Sequence, residues 1–410
     1  MKKLWDYDFN NARFKWFTYF LPLFIILFVA FDVLGDTGAK LTALLLSEID
    51  PETRKYADAF PSQSGYTVLG VAVLSFISLY VALHAWLAMV KAYPVYGRHR
   101  TQVSVWTHAC VNVIDFAVSA LLIGGIWAAL AMAGELDLGV PTWLQPELVA
   151  PKVEAWVAAH VPTLVSLPYL LAVFASIVLA DLATFLRHYL VHWSRLLWYV
   201  SHRVHHTAEV LHPAGVGPAY ALGFLTKAVE FMVLLMASKL FHHEPLLMEV
   251  LVFQMLTIMT EKFNHASAFY DWVCAKPWLK VVFHFFGAGP YHYMHHSAVE
   301  GEEINNLGGG GFMLWDKLFG TYVAPRATKP PVGLTNQPKI RMNPLAMYFS
   351  GWATIAYELR HNSVRHWFFI LFGSVNYKPP RSKEYLIMNY SPPAEPARHV
   401  SPMTGLAANE

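Results

Sequence analysis

The chain has 410 residues, of which 55% are hydrophobic, 15% aromatic and only 14% charged. This composition excludes an ordinary soluble protein and indicates a membrane protein, while a net charge of +2 is too small to indicate nucleic-acid binding. The only cysteines, Cys110 and Cys274, form no CxxC pattern, which argues against a disulfide framework and against an iron–sulfur cluster.

Four apolar segments are predicted to cross a membrane as helices, because each is long enough at a rise of about 1.5 Å per residue. They are Trp16–Leu34, Tyr66–Val90, Val111–Ala133 and Pro162–Leu186. The first lacks the small-residue cleavage pattern of a signal peptide and is therefore predicted to be a membrane anchor. Basic residues at the N-terminus, between Lys91 and Arg100, and after the fourth span predict that these three regions are cytoplasmic.

A further apolar pair, Tyr220–Lys239 and Leu246–Thr260, flanks the turn His242–Pro245. It predicts either a full transmembrane hairpin or a shallow re-entrant pair, and both return the chain to its starting side. Both termini are then cytoplasmic, at the inner membrane if the source is bacterial. The predicted fold class is an all-α integral membrane protein with about four transmembrane helices, a hairpin and a cytosolic, histidine-rich helical cap.

Three histidine clusters follow the fourth span at spacings that suit a metal site. They are His188 with His192, His202 with His205 and His206, and His292 with His295 and His296. Residues at i, i+3 and i+4 share one face of a helix, so each cluster would present two or three imidazoles together. Neutral imidazole is a ligand for iron, zinc, copper and nickel. The clusters, with His265 on the same side of the membrane, predict a metal site at the cytoplasmic surface.

Other motifs predict no further cofactor. The Gly308–Gly311 run lacks the spacing and context of a dinucleotide site, and His212-Pro213 lacks the glycines of a cytochrome b5 haem motif. Near the C-terminus, residues 326–343 are predicted to be a linker, residues 347–372 to lie on the surface or pack on the core, and the tail from Lys378 to be loosely structured.

The order of these motifs resembles the fatty acid hydroxylase / sterol desaturase superfamily. Similar residues are found at Asp181–His188, Leu197-Trp198, His202–Glu209, Phe263–Ala266, Pro290–Ser297, Asn306 and Trp315–Tyr322. The glycine-rich Leu307–Gly311 segment is longer than the family's usual Asn-Tyr-Gly link. The predicted domains are an N-terminal membrane region with three transmembrane helices at 1–161, a hydroxylase-type catalytic domain at 162–325, and a linker, amphipathic segment and tail at 326–410.

The resemblance implies a non-haem diiron centre that uses dioxygen and two external electrons to oxidise a lipid C–H bond. Because the chain has no haem, flavin or NAD motif, these electrons are expected from a separate protein. The implied ligands are His188, His192, His202, His205, His206, His265, His292, His295 and His296, with His284 as a candidate tenth. Nine histidines exceed the needs of one octahedral ion, so two irons per chain are expected, and zinc is expected to replace iron readily on purification.

Ligating histidines usually donate their second N–H to a carboxylate or a carbonyl. Asp181, Glu209 and Asp316 are the predicted acceptors; helix capping or pairing with Arg187, Arg203 or Lys317 is the alternative.

Hydroxylation of a fatty acyl chain, a sterol or a related lipid is the leading function, with a long apolar substrate entering sideways from the bilayer. Desaturation is the alternative within the family, because both reactions begin with the same hydrogen abstraction. A metal-binding membrane transporter is the alternative from another class. Transport would require ligands inside the spans, whereas the clusters follow them.

Overall fold

The computed structural model describes residues 79, 82–132, 154–212, 223–246, 249–250, 253, 264–265, 269–287, 289–302, 304–308, 312–336 and 338–388. This part of the chain is mostly helical, and its only extended pairings are three isolated bridges, Ser194 with Ser374, Ser297 with Val332 and Ile340 with Ile387. The predicted first span, Trp16–Leu34, and most of the second lie outside the described residues.

Two consecutive helices, α1 at 82–96 and α2 at Arg98–Met132, form the described N-terminal part. Helix α2 contains most of the predicted third span but begins at Arg98 rather than at Val111. Most of its first half, from Thr101 to Asn112, is buried. Val103 and Val111 pack with Val204, Met347 and Tyr348 in one apolar cluster, so α2 lies against both the histidine region and the C-terminal region.

A short helix, α3 at 154–160, precedes α4 at Tyr169–Trp193. Among the helices that the structure describes, α4 alone is long and apolar enough to cross a membrane. It begins later than the predicted Pro162–Leu186 span, because Pro168 restricts the residue before it and stands at the helix start. It also continues to Trp193, so His188 and His192 lie in its last turns rather than after it.

Helix α5, Gly223–Phe241, packs along α4 through Leu234, Leu235 and Ala180. The carbonyls of Leu240 and Phe241 at its end accept hydrogen bonds from the N–H groups of Leu164 and Leu167 at 3.0 Å or less. Helix α5 is the first half of the predicted hairpin. Most of the second half, Leu246–Thr260, lies outside the described residues, so both forms of the hairpin stay predictions.

From residue 269 onward, the described residues next form four short helices: α6 at Phe269–Cys274, α7 at Pro277–Phe286, α8 at Pro290–His295 and α9 at Leu314–Phe319. Two longer ones come next, α10 at Pro344–His361 and α11 at Val364–Phe372. The segment predicted either to lie on the surface or to pack on the core does both. Helix α10 buries Ala346, Met347 and Thr354, whereas α11 buries only Ile370.

Helix α10 comes unusually close to the residues between α4 and the second histidine cluster. A Cβ atom at Gly351 would lie 1.7 Å from the carbonyl oxygen of Tyr199, so only glycine allows this approach. Nearby, the buried Arg195 guanidinium pairs with the buried Glu358 carboxylate at 2.7 Å. The C-terminal region therefore packs directly against the segment that carries the histidines.

Candidate metal centre

The first histidine pair comes from the end of α4. His188 and His192 are one helical turn apart, so their rings share a face, with centroids 5.2 Å apart. Helix α4 stops after them because Ser194 adopts an extended conformation. The Ser194 hydroxyl then accepts a hydrogen bond from the N–H of Leu197 and caps the single helical turn Arg195–Leu197.

The second cluster does not lie on a regular α-helix. Trp198–His202 is a π-helical turn, closed by a hydrogen bond of 2.7 Å from the N–H of Arg203 to the carbonyl of Trp198. His205–Thr207 is a turn of 3-10 helix. The α-helical face predicted for His202, His205 and His206 is therefore wrong in detail, and the cluster instead changes winding between its first and its last members.

The third cluster is carried by α8, with His296 as the residue that ends the helix. The side-chain oxygen of Asn264 accepts a hydrogen bond from the N–H of Gly289, the residue that caps the start of α8. This contact fixes His265 beside the helix. The Nε2 atoms of His265 and His292 are 3.0 Å apart.

The structure brings all nine predicted ligands together, in two adjoining groups that cut across the sequence clusters. One group contains His188, His192, His202 and His295, and the other contains His205, His265, His292 and His296. Within each group the candidate ligand atoms all lie within 4.8 Å of one another. His206 lies between the groups, with its Nε2 3.1 Å from that of His202 and its ring stacked 4.5 Å from that of His296.

The distances between neighbouring Nε2 atoms match those between two nitrogens bound to the same metal ion. Seven pairs are 2.9–3.4 Å apart. Two nitrogens bound to one ion at about 2.1 Å are about 3.0 Å apart at a right angle and about 3.4 Å apart at the tetrahedral angle. His202 has three such neighbours, His188, His192 and His206. His265 also has three, His205, His292 and His296. A single N–H can point at only one of them, so a cation between the nitrogens accounts for the arrangement better than hydrogen bonds do.

The outer nitrogens of two rings identify the atoms that face the centre. His188 Nδ1–H donates to the carbonyl of Leu307 at 2.6 Å, and His295 Nδ1–H donates to the carbonyl of Asn305 at 2.8 Å. A neutral ring that carries its proton on Nδ1 has its lone pair on Nε2. The buried Nε2 of His295 accepts no hydrogen bond from the described residues, which leaves that lone pair for an ion.

Burial keeps the rings neutral. It lowers the pKa of His202, His205, His206, His292 and His296 well below the usual value, and neighbouring histidines lower it further. Burial lowers the pKa of His295 to about 4, although its hydrogen bond to Asn305 opposes the shift. Neutral imidazole is the form that binds metal, so the rings are prepared as ligands at neutral pH.

Residues 173–321 match a family model described as Fatty acid hydroxylase. This segment is similar to the fatty acid hydroxylase family over about a third of the chain. The match confirms the resemblance drawn from the motifs, and the matched residues include all nine predicted histidine ligands. Comparison with curated proteins gave no match, and comparison with solved structures gave none either.

The matched domain supports its histidines with carbonyl groups of the loop 305–308. Asp316 accepts hydrogen bonds from the N–H groups of Leu307 and Gly308 at 2.7 and 2.9 Å, and from the hydroxyl of Thr321. It therefore holds the loop whose Leu307 carbonyl receives His188. A Cβ atom at Gly308 would lie 2.9 Å from the Oδ2 of Asp316, so the glycine at this position permits the contact.

The other residues predicted to support the histidines, or to join them as ligands, contact different parts of the protein. Asp181 accepts hydrogen bonds from the indole N–H of Trp315 at 2.8 Å and from the N–H of Phe312 at 3.0 Å, which fixes α9 against α4. Glu209 forms an ion pair with Arg100. His284 lies on α7, where its ring contacts Tyr291 and Tyr322, and it belongs to neither histidine group.

Sequence reasoning missed several residues around the histidine centre. The Nε2 of His108 on α2 is 2.9 Å from the hydroxyl of Thr207, the residue after His206, and its Nδ1–H donates to the carbonyl of Ser104. Tyr199 lies between the guanidinium groups of Arg195 and Arg203, at 4.5 and 4.1 Å. The contact of His108 with Thr207 joins segments far apart in sequence, so no local pattern predicts it. Arg195, Tyr199 and Arg203 are spaced four residues apart, so their contacts could have been predicted from helical spacing.

Proposed function

We propose that this protein is a membrane-bound, dioxygen-dependent lipid hydroxylase with two iron ions in the histidine centre. Its family consists of membrane-associated, lipid-modifying oxidoreductases, and the chain has a histidine-rich site that could hold metal. The observation that carries the proposal is the pair of adjoining all-imidazole groups with their Nε2 atoms 2.9–3.4 Å apart. Two ions at neighbouring positions could together deliver the electrons needed to cleave the O–O bond during oxidation of a lipid.

The residues divide naturally between two ions. His188, His192, His202, His206 and His295 would hold one, and His205, His265, His292 and His296 the other. When bound, iron would supply the dioxygen activation and the electron transfer that no side chain can provide. The protein's own residues orient the rings through Asn305 and Leu307, bury them, and place the indole of Trp198 5.0 Å from His192 and 5.3 Å from His206 as an apolar wall.

The overall reaction proposed is the conversion of a lipid C–H bond and dioxygen, with two electrons and two protons, into a C–OH group and water. A separate electron-transfer protein would supply the electrons. The position of the centre at the end of α4 favours a long apolar substrate that enters sideways from the bilayer. A methylene gains little on leaving the bilayer for an apolar pocket, so recognition would depend on shape and on polar contacts to the headgroup or hydroxyl.

Lipid analysis of a host that expresses the full chain tests the proposal. Under isotopically labelled dioxygen, the wild-type chain and a His160→Ala control should both give a lipid that has gained one labelled oxygen. His160 is an exposed residue whose ring stacks on Trp156, outside the centre. The His295→Ala variant should give none.

A product that has lost two hydrogens and gained no oxygen would assign desaturation instead. Metal transport into vesicles by purified protein, without oxygen consumption or any altered lipid, would contradict both oxidations.

A further inference from the structure

Helix α11 presents an apolar face that the described residues leave uncovered. Val364, Phe368 and Phe372 are spaced four residues apart along it, and their exposed fractions are 71, 64 and 60%. Phe369 and Trp367 flank them and are also exposed. On the opposite side, Ile370 is fully buried against Val200 and Ile355. The helix is thus attached to the protein by one edge and offers an aromatic surface on the other.

The sequence around this face is strongly basic. Between residues 358 and 388 the basic side chains are Arg360, Arg365, Lys378, Arg381 and Lys383, and all five are exposed. The only acidic residues in the same stretch, Glu358 and Glu384, are buried in ion pairs with Arg195 and Arg203. An apolar helix face with a positive rim is the pattern of helices that lie in the headgroup region of a bilayer.

The helix is fastened where α4 ends. The N–H of Val375 donates to the carbonyl of Trp193 at 2.8 Å, and the N–H of Arg195 donates to the carbonyl of Gly373 at 3.0 Å. Leu190, Trp193 and Leu197, which surround this junction, are themselves exposed. If α4 crosses the bilayer, these contacts hold the end of α11 at the level where α4 leaves the hydrocarbon, and exposed Trp193 suits that boundary.

We propose that α11 lies along the bilayer surface, with its aromatic face among the acyl chains and its basic rim against anionic headgroups, on the side where α4 ends. A second copy of the chain is a poor occupant of this face, because a symmetric contact would bring two positive rims together. The face lies outside the matched residues 173–321.

The location of α11 indicates how it could affect the histidine centre. Helix α10 precedes α11 directly and contacts the π-helical turn through Gly351. A bilayer-bound α11 would therefore fix, together with α4, the depth of the histidine centre relative to the lipid. It would also orient the side of the centre from which a lipid enters toward the membrane surface.

The test is site-specific fluorescence on the full chain in nanodiscs of phosphatidylcholine with phosphatidylglycerol. Cys110 and Cys274 are changed to alanine, and one cysteine is introduced for an environment-sensitive dye by Phe368→Cys or, separately, by Phe372→Cys. Leu190→Cys on the exposed face of α4 and Glu300→Cys at an exposed turn are the two references. Quenching by nitroxide-labelled lipid is compared with quenching by iodide in the buffer.

At positions 368 and 372, lipid-borne nitroxide should quench at least about threefold more strongly than at position 300, and iodide correspondingly less. Replacing Lys378, Arg381 and Lys383 together by glutamate should reduce that lipid quenching in discs with phosphatidylglycerol. Iodide access at 368 equal to that at 300 would overturn the proposal, and so would protection from both quenchers, which would indicate a protein partner. If position 190 also avoids lipid quenching, the premise about α4 is wrong, and the proposal falls with it.

Discussion

The two nitrogens of His295 face different surroundings. Nδ1–H is engaged by the Asn305 carbonyl, and Nε2 is buried without a hydrogen-bond partner among the described residues. His188 is oriented in the same way by Leu307. Fixing one nitrogen with a carbonyl sets the tautomer and leaves the other nitrogen basic, which is how supporting residues tune metal ligands.

Replacing His295 by alanine should lower the metal content of the purified chain. The side chain belongs to one group of four, so the change removes one of its ligands and opens a buried void. Elemental analysis should give two metals per chain in the wild type and about one after His295→Ala, since the second group is untouched. His284→Ala is the matched control, because that ring lies in neither group, and it should retain both metals. One metal per chain in the wild type would contradict the two-ion arrangement.

Asp316→Asn tests whether Asp316 orients His188 indirectly, by holding the backbone of the loop whose carbonyl accepts a hydrogen bond from His188. The carboxylate accepts three hydrogen bonds, two of them from the loop that orients His188. An amide cannot accept all three, so the Leu307 carbonyl should shift and metal affinity should fall by about 10- to 100-fold, as measured by competition with a chelator. Asp271→Asn, at an exposed position on α6, should leave the affinity unchanged. Equal affinities for the two variants would remove the role assigned to Asp316.

For the individual residues of the site, the sequence predicted which histidines lie together but not how they are grouped. Spacing relates residues of one cluster, whereas His295 joins His188 and His192, and His205 joins His292 and His296. The supporting acceptors found next to His188 and His295 are main-chain carbonyls. Every residue has a carbonyl, so composition gives no sign of which one will be used.

Among the elements, the contact between α10 and the π-helical turn depends on one glycine. Gly351→Ala would place a Cβ 1.7 Å from the Tyr199 oxygen, so either α10 or the turn that carries His202 must move. The free energy of unfolding should fall by more than about 3 kcal/mol, near the upper end for overpacking. Thermal unfolding of the purified chain would measure the loss.

Gly125→Ala is the control for that substitution. Its Cβ would meet nothing within 4 Å, and its position is helical. Alanine there should be neutral or stabilising by about 0.5–1 kcal/mol. Similar unfolding temperatures for both variants would show that α10 and the turn do not approach as closely as described.

The ion pair between Arg195 and Glu358 is a second contact between the same elements. Its side chains are 2 and 0% exposed, so Glu358→Gln leaves a buried guanidinium without its counter-charge. The cost should be about 3–5 kcal/mol. The exposed pair of Arg100 with Glu209 offers the comparison, and Arg100→Gln should cost less than about 1 kcal/mol in the same unfolding measurement. A loss for Glu358→Gln no larger than that for Arg100→Gln would contradict the burial of the pair.

Helix type was predictable from apolar runs, but helix ends and winding were not. The fourth span was placed too early because hydropathy does not register Pro168 as a start or the two histidines as part of the last turns. The π-helical turn has the same residue types as an α-helix and differs by one hydrogen-bond partner, which only packing decides.

For the whole molecule, the topology prediction can be tested with reporter fusions. Charge placement predicts that both termini are cytoplasmic. A reporter fused after Glu410 should be active only in its cytoplasmic form, and one fused after truncation at Glu147, in the loop after the third span, should be active only on the far side. Activity of the Glu410 fusion on the far side alone would reverse the topology and separate the centre from its electron supply.

The described packing also bears on how the chain is organised. The prediction treated 326–410 as a linker, an amphipathic segment and a tail. Within it, Ile340, Met342 and Leu386 share a core cluster with α2 and with Val204 of the histidine region. Such long-range contacts are invisible to periodicity, which reports only that a segment has an apolar side and not what that side will meet.

The π-helical turn limits how this site could be copied into a designed helical bundle. An α-helix advances by about 100° per residue, so one residue more or fewer in a turn swings everything downstream by about that angle. Between Trp198 and His202 the chain accommodates one residue more than an α-helical turn would. Placing the HxxHH sequence on an ideal straight helix would keep the residue spacing but change the directions of the side chains. His205 and His206 would then face other neighbours. What must be transferred is the under-wound backbone together with the glycine of α10 that presses against it.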